Sequence, residues 1–330
     1  MVKKLTHRER LEMCLGGGKL DRVPVSLWRH FPVDDQSPYA LAEATVLFQR
    51  QYDFDFVKVT PSSSFCVKDW GVDDKWEGAS EGTRSYTKYT IQEPEDWANL
   101  HILNPKAGHL GDQIRCLEMI VAQLGDQTPV IQTIFNPLSQ AKNLVSRELL
   151  QVHLRKYPQA VLEGLRKITE STVGFIEEAK KTGISGIFLA VQHAQYGLLS
   201  EQEFQSFSKY FDLQLLTHTD DLWLNILHLH GENVMFDLVV DYPISVINWH
   251  DQDTPPSLEE GKRCFRGVVC GGLQRENTIV YGSPEQVKLE CQRAIKQTNG
   301  ERFILGTGCV VPIIAPHGNI KSVRLSVGEI

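Results

Sequence analysis

The chain has 330 residues, 42% of them hydrophobic and 23% charged, an ordinary globular composition. Its 34 Lys+Arg against 41 Asp+Glu leave a net charge of −7, which excludes the basic footprint of a nucleic-acid-binding protein. No stretch approaches the ~20 uninterrupted apolar residues of a membrane span. Residues 1–8 carry charge with no apolar segment behind them, so no export signal is expected. The 7 cysteines form no CxxC pair and no small-domain framework, which points to a reducing cytoplasm rather than to disulfides.

In chain order, short apolar runs alternate with amphipathic segments. Thr6-x-x-Glu9 has the spacing of a capping box and opens a helix that stops at Gly16-Gly17-Gly18. A first strand is predicted over 22–28 (RVPVSLW), followed by a helix opening at Ser37-Pro38 and a second strand over 54–60 (FDFVKVT). The long gap that follows contains 76–91 (WEGASEGTRSYTKYTI), which reads as a small hairpin inserted above the fold. A third strand is predicted over 129–135, a fourth over 186–191 and a fifth over 224–231 (LNILHLHG). The last three are expected over 246–251 (VINWHD), 267–273 and 303–309. Helical periodicity marks 157–181 and 200–221, and Ser283-Pro284-Glu285-Gln286 opens a helix ending near Asn299-Gly300.

Eight strands alternating with helices predict an α/β fold of the (β/α)₈ TIM-barrel type. With no linker or composition break, residues 1–330 are expected to form a single domain. A doubly wound sheet is disfavoured, because no glycine-rich phosphate turn follows the first strand.

In such a barrel the chemistry belongs at the C-terminal ends of the strands. Those ends carry Trp28, Arg29, Asn136, Gln192, His193, His228, His230, His250, Gln274 and Cys309. His228 and His230 stand two apart on a predicted strand, so they share one face. Two imidazoles and the Cys309 thiolate make a donor set suited to Zn²⁺; the alternative is a pair of hydrogen-bonded polar barrel residues. His193 and Gln192 either touch substrate or hold loop backbone. His250 with Asp251 is a fourth ligand, a supporting pair or a structural hydrogen bond. Arg29 either grips a substrate carboxylate through its planar fork or makes a loop salt bridge. Cys14, Cys116, Cys270 and Cys291 read as buried apolar residues.

These residues lie in a sequence that resembles the uroporphyrinogen decarboxylase superfamily. Thr6-His7-Arg8-Glu9-Arg10-Leu11 and Leu20-Asp21-Arg22-Val23-Pro24-Val25 are similar to its opening. Phe135-Asn136-Pro137-Leu138 and Leu198-Leu199-Ser200-x-x-x-Phe204 fit its middle. Gly271-Gly272-Leu273, Gly282–Val287 (GSPEQV) and Leu305-Gly306-Thr307-Gly308-Cys309 follow its closing pattern. The resemblance spans nearly the whole chain and implies a (β/α)₈ barrel.

True decarboxylases of the superfamily carry Arg-Gln-Ala-Gly-Arg after the first strand, an Asp after the second and Gly-His-Gly near the end. Here those places read Trp28-Arg29-His30-Phe31-Pro32, Thr60-Pro61-Ser62-Ser63 and Gly308-Cys309-Val310. The departures leave too little positive charge for a tetrapyrrole bearing several carboxylates. The other branch resembles methylcobamide:coenzyme M methyltransferases, with His-x-Cys on the fifth strand and a late Cys that bind zinc. His228 and Cys309 match that pattern, and His230 stands where the middle Cys is expected.

The resemblance therefore implies a zinc-dependent methyltransferase acting on a small-molecule substrate. Its ligands would be His228, His230 and Cys309, with Arg29, His193 and His250 as catalytic candidates. Trp28, Asn136, Gln192 and Gln274 would line the substrate pocket, and a corrinoid would arrive on a partner protein. The rivals are a metal-independent decarboxylase, using Arg29 for the carboxylate and His228 or His193 for protons, and a non-catalytic corrinoid or tetrapyrrole binder. Monomer and homodimer are both open.

Overall fold

The computed structural model describes residues 4–328; Met1-Val2-Lys3 of the expected leaderless N-terminus lie outside them. Among the described residues nine strands form: β1 (Val57–Val59), β2 (Asp73–Lys75), β3 (Ser85–Lys88), β4 (Val130–Phe135), β5 (Gly186–Val191), β6 (Ile226–Leu229), β7 (Val246–Trp249), β8 (Val268–Leu273) and β9 (Phe303–Thr307). Seven of them make one sheet in the order β1-β4-β5-β6-β7-β8-β9, and every pairing is parallel. All residues of these seven strands are buried, as expected of parallel strands covered on both faces. Helices such as Pro38–Tyr52, Gly108–Leu124, Pro158–Lys181 and Pro284–Thr298 connect them. The result is a TIM-barrel-like α/β fold.

Helix starts follow the sequence closely. Thr6, Ser37 and Ser283 each cap a helix through a side-chain oxygen, and Thr6 and Ser283 complete capping boxes with Glu9 and Gln286. The helix expected over 200–221 is interrupted. Residues Glu201–Phe204 and Tyr210–Leu216 are α-helical, and a wider π-helical turn, Gln205–Lys209, joins them.

The first predicted strand is corrected. Residues 22–28 form no regular strand, only an isolated parallel bridge between Val25 and Leu305. Pro24 has no N–H to donate, which breaks a ladder. The segment still fills the gap between β9 and β1. Leu305 N donates to Pro24 O at 2.8 Å, Ser26 N to Leu305 O at 3.0 Å, and Asp55 N to Val25 O at 2.9 Å. A carboxylate replaces part of the ladder: Asp55 Oδ2 accepts from Val25 N at 2.7 Å.

The hairpin expected over 76–91 is also shifted. The antiparallel pair is Asp73–Lys75 with Ser85–Lys88, so its first strand precedes the predicted span. Residues between them reach the barrel mouth, where Ile313 N donates to Ser80 O at 2.7 Å. Gly82 has φ +79°, and a Cβ there would lie 2.5 Å from His30 Cβ. Only glycine lets this loop close so tightly over the mouth.

Candidate metal centre

Period two on β6 turns His228 and the next residue but one, His230, to the same side, and the ladder extends past the strand because His230 N donates to Val191 O at 3.0 Å. Across the ladder His228 is in register with Ala190 on β5 and Asn248 on β7. Two residues beyond Asn248 the same alternation brings in His250. Cys309 follows the end of β9, two strands away from β7.

The four side chains meet. Cys309 Sγ lies 3.7 Å from His228 Nε2 and 3.7 Å from His230 Nδ1. One donor atom from each of His228, His230, His250 and Cys309 lies within 4.8 Å of the others. Gly308 makes this approach feasible, since a Cβ there would stand 2.7 Å from both His250 Cα and Trp249 O.

One hydrogen-bond chain settles the tautomer of His228. Asn248 Nδ2 donates to Cys270 O at 2.9 Å and to Thr307 O at 3.1 Å, which uses both amide hydrogens. Asn248 Oδ1 is then the acceptor for His228 Nδ1–H at 2.7 Å. The Nε2 lone pair is left facing Cys309. Orientation of an imidazole through its second nitrogen is typical of metal sites, and losing such a partner costs about 10–100-fold in metal affinity. Asn248→Ala is accordingly expected to weaken zinc binding by about that factor, measured by competition with a chromogenic chelator; unchanged affinity would show that Asn248 only packs.

Burial dominates the electrostatics. It pushes His228 well below the usual imidazole range, His230 down to about 4 and His250 down to about 3, so all three are neutral nitrogen donors at pH 7. Burial raises the Cys309 thiol, and the Arg275 guanidinium works against that rise. Arg275 is itself paired with Glu81 and, at 2.9 Å, with Glu276. His250 Nε2 is buried and has no hydrogen-bond partner. Three neutral imidazoles, one of them with an unpartnered nitrogen, and one thiol at one point fit Zn²⁺, which takes N and S donors at about 2.0–2.3 Å.

Beside the cluster lies a cavity of about 90 Å³, bordered by Trp28, Lys58, Phe188, Gln192, His228 and Cys309 among others. Its size falls below the ~300–1,000 Å³ of drug-sized pockets. Phe188 stacks on His228 with ring centroids 5.2 Å apart.

The remaining expected site residues divide. Trp28 and Gln192 border the cavity. His193 is buried close by, pushed down to about 3 by burial with help from Lys142 and Arg147, and its Nδ1 has no partner. Arg29 turns away: its guanidinium lies 5.3 Å from the Phe31 ring and its Nε is 3.4 Å from His30 O. Gln274 borders a separate groove beside Glu290 and Arg293, and its N–H donates to Glu290 at 2.7 Å.

Asn136 is corrected from pocket residue to structural hub. Its Oδ1 accepts from Ser139 N at 3.0 Å, capping the helix Pro137–Val145. Its Nδ2 donates to Ser208 Oγ at 2.9 Å and to Asp212 Oδ1 at 2.8 Å. Both ends of the amide are committed within the protein, and Asn136 is fully buried.

Sequence reading missed Lys58, Asn248, Glu81 and Arg275. Lys58 had a visible signal: a cation flanked by Val57 and Val59, in a strand that parallel sheets bury on both faces. The expectation of too little positive charge is also revised, since Lys58 borders the cavity and Arg275, Lys142 and Arg147 all act on His230.

Fold and site together define a known class. The uroporphyrinogen decarboxylase family model matches residues 6–329, and the chain belongs to that family. Methylcobamide:CoM methyltransferase MtbA of Methanosarcina mazei is 20% identical, with 97% of each chain covered. Among solved structures, a methyltransferase from Methanosarcina mazei has TM-score 0.86 at 18% identity, covering 98% of both chains. A B12-independent methionine synthase from Shewanella sp. W3-18-1, in complex with selenomethionine, has TM-score 0.51 at 14% identity, covering 92% of this chain and 90% of its own. These structures share the fold. No helix among the described residues is long and apolar enough to cross a membrane.

Proposed function

We propose that this chain is a zinc-dependent methyltransferase that moves a methyl group between a small substrate and a corrinoid carried by a partner protein. The observation that carries this reading is the convergence of His228, His230 and Cys309, with Sγ 3.7 Å from a nitrogen of each histidine, at one wall of a cavity. Support also comes from the relative named as a methylcobamide:CoM methyltransferase, which matches along nearly the whole chain.

His228, His230 and Cys309 would hold the ion and leave a position for a substrate heteroatom, as catalytic zinc sites do. Zn²⁺ bound there supplies Lewis acidity to a thiol or to a methyl-ether oxygen. The chain's own residues prepare the reaction. Trp28 and Phe188 form an apolar wall of the cavity, and Thr60, Ser63 and Gln192 offer hydrogen bonds along its wall. His250, held neutral by burial, would be the further nitrogen donor of the cluster. His230 in place of a second thiolate makes the site one unit more positive, which strengthens the Lewis acid and weakens a bound thiolate as nucleophile.

Purified protein is expected to carry stoichiometric zinc, and chelator treatment to abolish methyl transfer with a methylated corrinoid protein until zinc is restored. Full activity in metal-free protein would overturn the proposal. A metal-independent decarboxylase is the second reading, favoured by family membership and by the buried Lys58 amine at the cavity; it predicts carbon dioxide release that survives metal removal.

A further inference from the structure

His228 and His230 are held in different ways. His228 lies within β6, in register with the strands on either side, and its ring is set by Asn248. His230 lies just beyond the last residue of β6, where its N–H still meets Val191 O but the chain turns away. The turn is tight. Gly231 has φ +101° and Asn233 has φ +48°, so two of the three residues after His230 sit in the left-handed region, which is disfavoured for side-chain-bearing residues. Such a segment keeps its shape only where its surroundings over-determine it.

Two side chains from two other turns do this. Gln195, in the turn after β5, lays its amide across Gly231, where a Cβ would stand 2.3 Å from both Gln195 Cδ and Nε2. Gln195 Oε1 accepts from Glu232 N at 3.2 Å, and Nε2 donates to Gln192 O at 2.8 Å. Thr254, in the turn after β7, takes the next N–H: its Oγ1 accepts from Asn233 N at 2.7 Å. Thr254 is buried, and its own N–H donates to His250 O at 2.9 Å. Backbone pairs complete the seam, with Tyr196 N donating to Asn233 O at 3.1 Å and Met235 N to Ala194 O at 2.8 Å. The far end is rooted as well, since Gln192 N donates to Ser139 Oγ at 3.0 Å. Any residue's carbonyl can meet a backbone N–H, whereas these two consecutive N–H groups depend on the residue types at 195 and 254.

We propose that Gln195 and Thr254 are positioning residues: they clamp Gly231–Asn233 and so set where the His230 ring meets His250 and Cys309. The inference rests on the reading of that cluster as a metal centre. In the clamped arrangement the His230 and His250 rings stand 4.8 Å apart at 86°, and Cys309 Sγ is 3.7 Å from His230 Nδ1. The link to His250 is direct, because Thr254 holds Asn233 with its hydroxyl and the His250 carbonyl with its N–H. The sheet fixes His228, and the clamp fixes His230 and His250. Loosening the clamp therefore has a selective consequence: His230 and His250 are displaced while His228 stays in place.

Thr254→Val and Gln195→Leu remove the two acceptors while keeping most of the side-chain bulk, and Thr254→Ser restores the hydroxyl. The first readout needs no metal. In the metal-stripped full chain with ¹⁵N-labelled histidine, the imidazole NMR signals of His230 and His250, assigned through His230→Gln and His250→Gln, should shift in Thr254→Val and Gln195→Leu. Those of His228 should stay, and Thr254→Ser should match the parent. Amide hydrogen exchange over 231–235 should quicken in the same two variants. The second readout is zinc affinity by chelator competition, which should fall about 10–100-fold, the loss typical of partners that support metal ligands, and recover in Thr254→Ser. Selective ring shifts in a chain that binds no zinc would uphold the clamp and defeat the metal reading. Unshifted His230 and His250 signals, or equal shifts at His228 with a general fall in melting temperature, would overturn the inference. So would parental zinc affinity in both variants of a chain that binds zinc.

Discussion

Cys309→Ala is expected to purify without stoichiometric zinc and without methyl-transfer activity. The sulfur touches two imidazole nitrogens at 3.7 Å each, and it is the one anionic donor available to the cluster. Zinc binding to small structural sites is worth about 10–16 kcal/mol at pH 7, so one ligand of three or four carries a few kcal/mol. Losing it raises Kd by about a hundredfold or more, at 1.4 kcal/mol per factor of ten. Three neutral imidazoles remain, which bind zinc but without compensating any of its charge. Metal content by mass spectrometry and Kd by chelator competition check the result. Cys270→Ala is the control: Cys270 is buried in β8 outside the cluster and should keep its metal. Stoichiometric zinc in Cys309→Ala would remove the thiolate from the site.

Asp55→Ala should lower stability by about 3–5 kcal/mol, the usual cost of leaving buried charges without a partner. Asp55 is fully buried and accepts from Arg10 at 2.5 Å, Arg22 at 2.6 Å and His7 at 3.0 Å, as well as from the Val25 N–H that closes the sheet. Burial pushes its carboxyl up, but His7, Arg22 and Arg10 together hold it well below the usual carboxylate range. Asp21, on the same Arg10, is lowered to about 2. A depressed folded-state value means that the unfolded chain takes up protons first as pH falls. The contribution is therefore complete above the unfolded carboxylate value of about 3.9 and is lost as pH drops through the folded values. Chemical denaturation of the parent should show a midpoint that is flat above about pH 5 and falls below about pH 4. Asp55→Asn should lose much of that acid dependence along with the stability. A variant as stable as the parent would mean that Val25 is held in the barrel wall by its packing alone.

Much of the local structure was legible because local physics decides it. Thr6, Ser37 and Ser283 cap helices, and runs of Val, Ile and Leu became buried parallel strands. The miss at 22–28 was also local: Pro24 within the run argued against a full ladder, yet the apolar pattern outweighed it. At Asn136 the sequence carried two signals, a strand end and an Asn-Pro helix start, and the capping signal won. The π-helical turn at Gln205–Lys209 gave no such hint, because it places Ser208 against Asn136, a partner distant in the chain.

By itself the sequence determined that His228 and His230 share a face, since alternation along a strand has period two, and that Cys309 stands at a strand end. It also determined the alternating α/β pattern and the excess of acidic residues. Only the tertiary structure decided that β6 and β9, separated by β7 and β8 in the sheet, bring the side chains of His228 and Cys309 to within 3.7 Å of each other. It likewise decided that Asn248 orients His228, that Arg29 lies against Phe31, and that Lys58 borders the cavity. Distances between strand ends follow from how the sheet curls, and that curl is a property of the packed whole rather than of any segment. A net charge of −7 describes the average surface, whereas the field inside a buried cavity is set by the few charges whose partners the fold leaves out of reach.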